Sequence, residues 1–165
     1  MTTFGHSLNV AFLAVVLGSG PLFAQSHPPR FGLGVNYGGA QLDWRPSQKW
    51  MFEARAQTGS DQGTSGTSHS TVVGTRAYRF LGRERLVVPL MGLQLAIVQT
   101  DQDNSTYKAS GPSAGLFAGL AFKLNNHLRL LIDMGPYVIA LSEKRTHADT
   151  TEVDLVADAA VIVFF

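Results

Sequence analysis

The sequence predicts an all-β chain, a closed antiparallel up-and-down transmembrane β-barrel of eight strands behind an N-terminal signal peptide. Three observations carry this. The final segment alternates between apolar and acidic positions with period two, a strand signal rather than a helix signal. Polar tracts between the β-favouring segments alternate long and short, as the loops and turns at the two ends of a membrane barrel do. After the N-terminal region, no segment has the roughly 20 apolar residues that a spanning helix needs.

Composition narrows the class before any element is placed. The 165 residues suit one domain, charged residues make up 15% of them, and the formal net charge is +1. The charged share is well below the roughly 25% of an average soluble protein. A near-neutral chain has no basic footprint for nucleic acid. With no Cys, disulfide frameworks and thiolate metal sites are excluded.

Residues 1–24 contain no Asp, Glu, Lys or Arg, and the run Leu8–Leu17 is apolar apart from Asn9. Gly18, Ser19, Gly20 and Pro21 then break a helix, and Ala24 precedes the polar Gln25. This reads as a signal peptide cleaved after Ala24, although the n-region lacks a basic side chain and Leu22 is large for its position. Residues 25–30, with two prolines, read as a disordered lead-in, and 31–165 as the barrel domain.

The first strand pair is expected at about 31–37 and 40–45, with Gly38-Gly39 as the tight turn. Splitting this region gives an even strand count, which closure in lipid favours. Ala40, Leu42 and Trp44 oppose Gln41, Asp43 and Arg45. The next strand, 49–57, places Trp50, Phe52, Ala54 and Ala56 opposite Met51, Glu53, Arg55 and Gln57. The strand at 70–80 points Arg76 and Tyr78 into the lumen and leaves Arg79 outside, where its long stem lets the charge reach the interface. Strands at 85–99 and 108–123 follow, the latter with a small-residue face of Ser113, Gly115, Gly119 and Ala121. In the strand at 128–141, Arg129, Asp133 and Tyr137 oppose Leu128, Leu130, Ile132, Met134 and Val138.

The last strand, 151–165, sets the facing. Val153, Leu155, Ala157, Ala159, Val161, Val163 and Phe165 share one face, while Glu152, Asp154 and Asp158 lie on the other. A carboxylate in hydrocarbon is strongly disfavoured, so the acidic face turns inward. Pro89, Pro112 and Pro136 fall within strands and each removes a ladder donor. Pro89 and Pro112 fit near strand ends, and Pro136 predicts a bulge.

The long tracts Thr58–His69, Thr100–Thr106 and Ser142–Thr150 are expected as extracellular loops, and Arg45–Gln48, Leu81–Glu84 and Leu124–His127 as periplasmic turns. Trp44, Trp50, Phe80, Phe122, Phe164 and Phe165 gather at the short-turn ends, as a periplasmic aromatic girdle would.

The terminal VIVFF, with Phe165 preceded at alternate positions by Val163 and Val161, resembles the insertion signal of bacterial outer-membrane barrels. The resemblance implies recognition by the barrel-assembly machinery. The whole of 31–165 looks like the small OmpA-like or OmpX-like eight-stranded barrels, which implies a Gram-negative outer membrane.

The expected lumen charges are Asp43, Glu53, Arg55, Arg76, Arg129, Asp133, Asp154 and Asp158. A barrel of eight strands is just wide enough for side chains to fill, so these charges read as a salt-bridge plug rather than an ion path. An enzyme that modifies lipid A is the first alternative. Its candidate pairs are His69–Ser70 and His147–Asp149. Adjacent strand residues point to opposite faces, so His69 and Ser70 make a poor dyad. No G-x-S-x-G elbow and no phosphate loop occur. His147 with Asp149 lacks a third metal ligand. A soluble periplasmic ligand-binding barrel is the second alternative. The expectation is a monomeric, non-enzymatic barrel without cofactor. It would be embedded in outer-membrane lipid and would meet an extracellular ligand or surface through its loops.

Overall fold

A computed structural model describes residues 30–63, 66–83, 85–102, 108–143 and 149–165. The segments read as signal peptide and lead-in therefore lie outside the described residues up to residue 29. Eight antiparallel strands form a closed barrel in sequence order. They are β1 (Phe31–Asn36), β2 (Gly39–Trp44), β3 (Trp50–Gly63), β4 (Gly66–Phe80), β5 (Val87–Gln102), β6 (Lys108–Lys123), β7 (Leu128–Glu143) and β8 (Asp149–Phe164).

The first hairpin divides where closure requires, but its turn is shifted by one residue from the expected Gly38-Gly39. Asn36 pairs with Gly39, so the two loop residues are Tyr37 and Gly38. Gly38 has φ +89°, a left-handed conformation that costs a side chain at Cβ about 1–2 kcal/mol.

The three polar tracts are shorter as loops than expected. Thr58–Gly63 and Gly66–His69 belong to β3 and β4, Thr100–Gln102 to β5, Ser142 and Glu143 to β7, and Asp149 and Thr150 to β8. Polar composition had suggested loops. Ladder pairing carries the strands onward because a ribbon clear of the membrane satisfies its backbone whatever its side chains.

Registers close the ring with a stagger. Stepping through paired residues from Gly32 leads to Asp43, Glu53, Arg76, Gln94, Gly115, Tyr137 and Asp154. Gly32 is itself paired with Phe164, ten residues along β8 from Asp154. Such a shear tilts the strands by roughly 40° and leaves a lumen that side chains fill.

Period two sorts the side chains as read. Outward positions such as Leu93, Leu116, Ile132, Leu155 and Val161 are exposed, while inward neighbours such as Gln94, Asp133, Asp158 and Ile162 are buried. Exposed apolar side chains around the whole wall are what a lipid-facing surface requires. Arg79 faces outward with its guanidinium 5.7 Å from the Trp50 ring.

No bulge forms at Pro136. The β6–β7 ladder has no rungs opposite Gly111-Pro112 and Gly135-Pro136, but its register is the same on either side of both gaps. The missing N–H groups are absorbed as omitted rungs, so no extra residue is inserted. Pro89 lies at the start of β5, beyond the last β4–β5 pair Phe80↔Leu90.

Lower in the lumen, at the end with the short turns, lies an apolar plug. Met51, Phe80, Val88, Leu90, Leu131, Ile162 and Phe164 are all buried there. This corrects the girdle at two positions. Phe80 and Phe164 share the inward parity of Tyr78 and Ile162 and fill the lumen. The outward aromatics at this end include Phe31, Trp44, Trp50, Phe52 and Phe165. Trp44 and Phe52 face each other across β2 and β3 and stack at 5.6 Å.

Candidate functional site

Above the plug, six ionisable side chains from five strands meet across the lumen. The short alternation Gln41-x-Asp43 on β2 and Glu53-x-Arg55 on β3 puts four polar groups side by side, because Asp43 pairs with Glu53 and Gln41 with Arg55. Arg76 of β4 is the neighbour of Glu53, and Gln94 of β5 the neighbour of Arg76. From the opposite wall, Asp133 of β7 and Asp158 of β8 are paired rung partners.

Arg76 is the hub. Its Nη1 donates to both Asp133 oxygens at 3.2 and 3.1 Å, and lies 3.1 Å from Asp158 Oδ2. Its Nη2 donates to the Tyr137 hydroxyl at 2.8 Å, and its Nε to Gln94 Oε1 at 2.5 Å. The Phe117 ring lies 4.7 Å from the guanidinium carbon. Arg55 pairs with Asp158 through Nη2, and its Nε lies 3.1 Å from Glu53 Oε1 with the N–H not aimed at that oxygen. Glu53 Oε2 accepts from the Tyr78 hydroxyl at 2.5 Å and from Gln41 Nε2 at 3.1 Å. Gln41 Nε2 also reaches Asp43 at 3.1 Å.

The network thus spans the lumen from β2 and β3 to β7 and β8. Asp43, Glu53, Arg55, Arg76, Asp133 and Asp158 are each no more than 7% exposed. Paired guanidinium and carboxylate groups with hydrogen-bonded hydroxyls and amides satisfy one another where water is excluded. Room for Tyr137 comes from Gly115, its rung partner, where an ideal Cβ would lie 2.6 Å from ring atom Cε1.

Two of the eight expected charges stand apart. Arg129 is buried one layer lower, its guanidinium carbon 5.9 Å from the Phe80 ring and 5.6 Å from the Phe164 ring. Asp154 has inward parity but is exposed, and it accepts the backbone N–H of Leu155 at 2.8 Å. The physical reason is the stagger together with the short first hairpin. β1 meets β8 only from Ala160 to Phe164, so Asp154 rises above the closed part of the ring.

Two network members were not singled out from the sequence, Gln41 and Gln94. Gln94 was legible as the one polar side chain in the run Leu90–Val98. Val161, Val163 and Phe165 line the outer face at the end of β8, next to β1, and Phe165 N–H donates to the Phe31 carbonyl at 2.9 Å. His69 and Ser70 are consecutive strand residues with opposite parity, and His147 lies outside the described residues. Among the described residues no group of three His, Cys, Asp or Glu could hold a metal.

No protein-family model matches the sequence, and no curated protein matches it. Among solved structures, the chain is similar to Neisserial surface protein A (NspA). The identity is 13%, the TM-score 0.58, and the match covers 82% of this chain and 93% of that one. It also matches CarO of Acinetobacter baumannii at 12% identity and a TM-score of 0.47, over 83% of this chain and 98% of that one. With its ring of eight antiparallel strands, apolar outside and filled within by a charged network above an apolar plug, the chain has the fold of a small outer-membrane β-barrel.

Proposed function

We propose that the chain is a non-enzymatic integral barrel of the bacterial outer membrane with a filled, poorly conducting lumen. Its role is structural or one of surface interaction. The observation that carries this reading is the stacking of two barriers. The apolar plug around Met51, Phe80 and Ile162 lies beneath the network centred on Arg76. An ion crossing the lumen would have to break buried charge pairs and then cross an apolar layer, and both steps are costly. The upper hairpins, rich in Ser, Thr, Gly and Asp at Thr58–Gly63 and Gly66–Ser70, supply the contact surface for an extracellular ligand.

In this reading the segment 1–24 exports the chain and is removed. Val161, Val163 and Phe165 mark it for the barrel-assembly machinery, and the barrel stands as a monomer in outer-membrane lipid. Planar-bilayer recording tests the lumen. The refolded chain 25–165 is expected to give no steady channel, and a large, stable conductance would refute the filled lumen. Protease added to intact cells tests the topology: cleavage within 58–69 or 142–150 is expected, and protection of both would refute it.

A further inference from the structure

The wall is incomplete above its first hairpin. β1 and β2 stop at Asn36 and Gly39, whereas β3 continues to Gly63 and β8 begins at Asp149. The last β1–β8 rung is Asn36↔Ala160, and the last β2–β3 rung is Gly39↔Gln57, extended by the Thr58 N–H to the Gly38 carbonyl. Among the described residues, no strand pairs with β8 from Asp149 to Ala159 on that side, or with β3 from Gly59 to Gly63. Among the described residues the upper barrel therefore has six strands and a lateral slot. Along β3 it is about 14 Å tall, from Gly59 to Gly63. Two strands are missing from it, so its jambs are separated by about three interstrand spacings, roughly 14 Å.

On its β8 side the slot reaches down to membrane depth, below the level of the Thr58–Gly63 ribbon that stands clear of the membrane. On the β8 jamb the outward residues Val153 and Leu155 are 74% and 66% exposed, as lipid-facing side chains are. Inside, above the network, the half-buried Val72, Ile139, Leu141 and Val156 take inward register positions, with Ala96 and Val98 buried beside them. The floor is the Arg55–Asp158 and Arg76–Asp133 pairs. Free strand edges within hydrocarbon are tolerated only where they line a wet cavity or meet polar groups. Glu152 and Asp154, exposed at inward positions along the free β8 edge, meet that condition.

Charge selects the head group. Glu143, Glu152 and Asp154 take inward positions around this upper lumen. Among the described residues no Lys or Arg does so above Arg55 and Arg76; Lys108, at the same height on β6, faces outward. We propose that the slot admits, from the outer leaflet, an alkyl-chain amphiphile with a cationic head. The chain lies among the small apolar side chains, and the head lies at the acidic rim beside Glu152 and Asp154. This compartment stands above the filled part of the lumen, so the proposal holds whether or not the floor conducts.

The test is methyl NMR of the chain 25–165 in phosphatidylcholine nanodiscs. The probe is an alkyl trimethylammonium carrying a nitroxide at its chain end, compared with a fatty acid carrying the same nitroxide. The cationic probe is expected to broaden the inward methyls of Val72, Ile139, Leu141 and Val156 as strongly as the outward methyls of Leu93 and Leu116. The fatty acid should broaden the outward set alike and the inward set at least fivefold less. Broadening confined to outward methyls with both probes overturns the site, and equal inward broadening by both overturns the head-group preference. Glu152→Gln with Asp154→Asn should remove the difference between the probes. Lengthening the β1–β2 hairpin by seven alternating apolar and polar residues on each side carries the β1–β8 ladder from Ala160 to Val153 and closes the slot at membrane depth without altering the other hairpins, with heat-modifiable gel mobility as the check of folding. Loss of inward broadening is expected there, and its persistence would show entry from above and overturn the lateral route.

Discussion

Replacing Arg76 with Met keeps much of the side-chain volume and removes the cation at the hub. Asp133 then loses both of its guanidinium contacts, at 3.2 and 3.1 Å, and Asp158 keeps only Arg55. Gln94 and the Tyr137 hydroxyl each lose a charged partner. Removing one member of a buried pair leaves an uncompensated charge, which costs about 3–5 kcal/mol. At 1.4 kcal/mol per tenfold, that is roughly two to four orders of magnitude in the folding equilibrium constant. The measurement is urea-driven unfolding and refolding in phosphatidylcholine vesicles, read by fluorescence of Trp44 and Trp50 and by gel mobility. Much of the loss comes from stranding Asp133 rather than from losing an attraction. The double variant Arg76→Met/Asp133→Asn should therefore cost about 1–3 kcal/mol less than the two single variants together. If Arg76→Met changes stability by less than about 1 kcal/mol, or if the two substitutions add within roughly 0.5 kcal/mol, the network does not hold the barrel in the way its geometry implies.

The same titration reads two backbone positions. Gly38→Ala should cost about 1–2 kcal/mol, because residue 38 has φ +89° and an ideal Cβ there lies 2.6 Å from the Thr58 carbonyl oxygen. Gly82→Ala, whose Cβ would meet, among the described residues, only the Val88 side chain at 3.9 Å, serves as the control and should stay within about 0.5 kcal/mol. Gly115→Ala should cost about 1–3 kcal/mol through overpacking. Its Cβ displaces the Tyr137 ring, so the variant should also lose part of the coupling between Arg76 and Asp133; unchanged coupling would separate Tyr137 from the network.

The inward and outward sets on β8 were legible because alternation is a property of the strand itself. Asp158 buried and Leu155 exposed follow from parity alone. The same reasoning found Glu53, Arg55, Arg76 and Asp133, each the polar member of an alternating run. It missed how far strands continue past the membrane. Thr58–Gly63 looks like loop by composition, yet it pairs rung by rung with Gly66–Thr71. It also gave Phe80 and Phe164 to the girdle by their position along the chain, where their parity assigns them to the lumen. At Pro136 a local rule predicted a bulge, but the neighbouring strands held the register and dropped rungs instead.

Read by itself, the chain determined its element type and, strand by strand, which face carries the inward charges, since both are set by neighbours two residues apart; the even strand count came from the need to close the ring in lipid. Which inward charges touch was decided only when the strands closed with a stagger of ten residues between Asp154 and Phe164. That offset brings Asp158 of the last strand to Arg55 of the third and leaves Asp154 above the ring. A register between distant strands is a sum of all the pairings around the barrel, and no local stretch of sequence contains that sum.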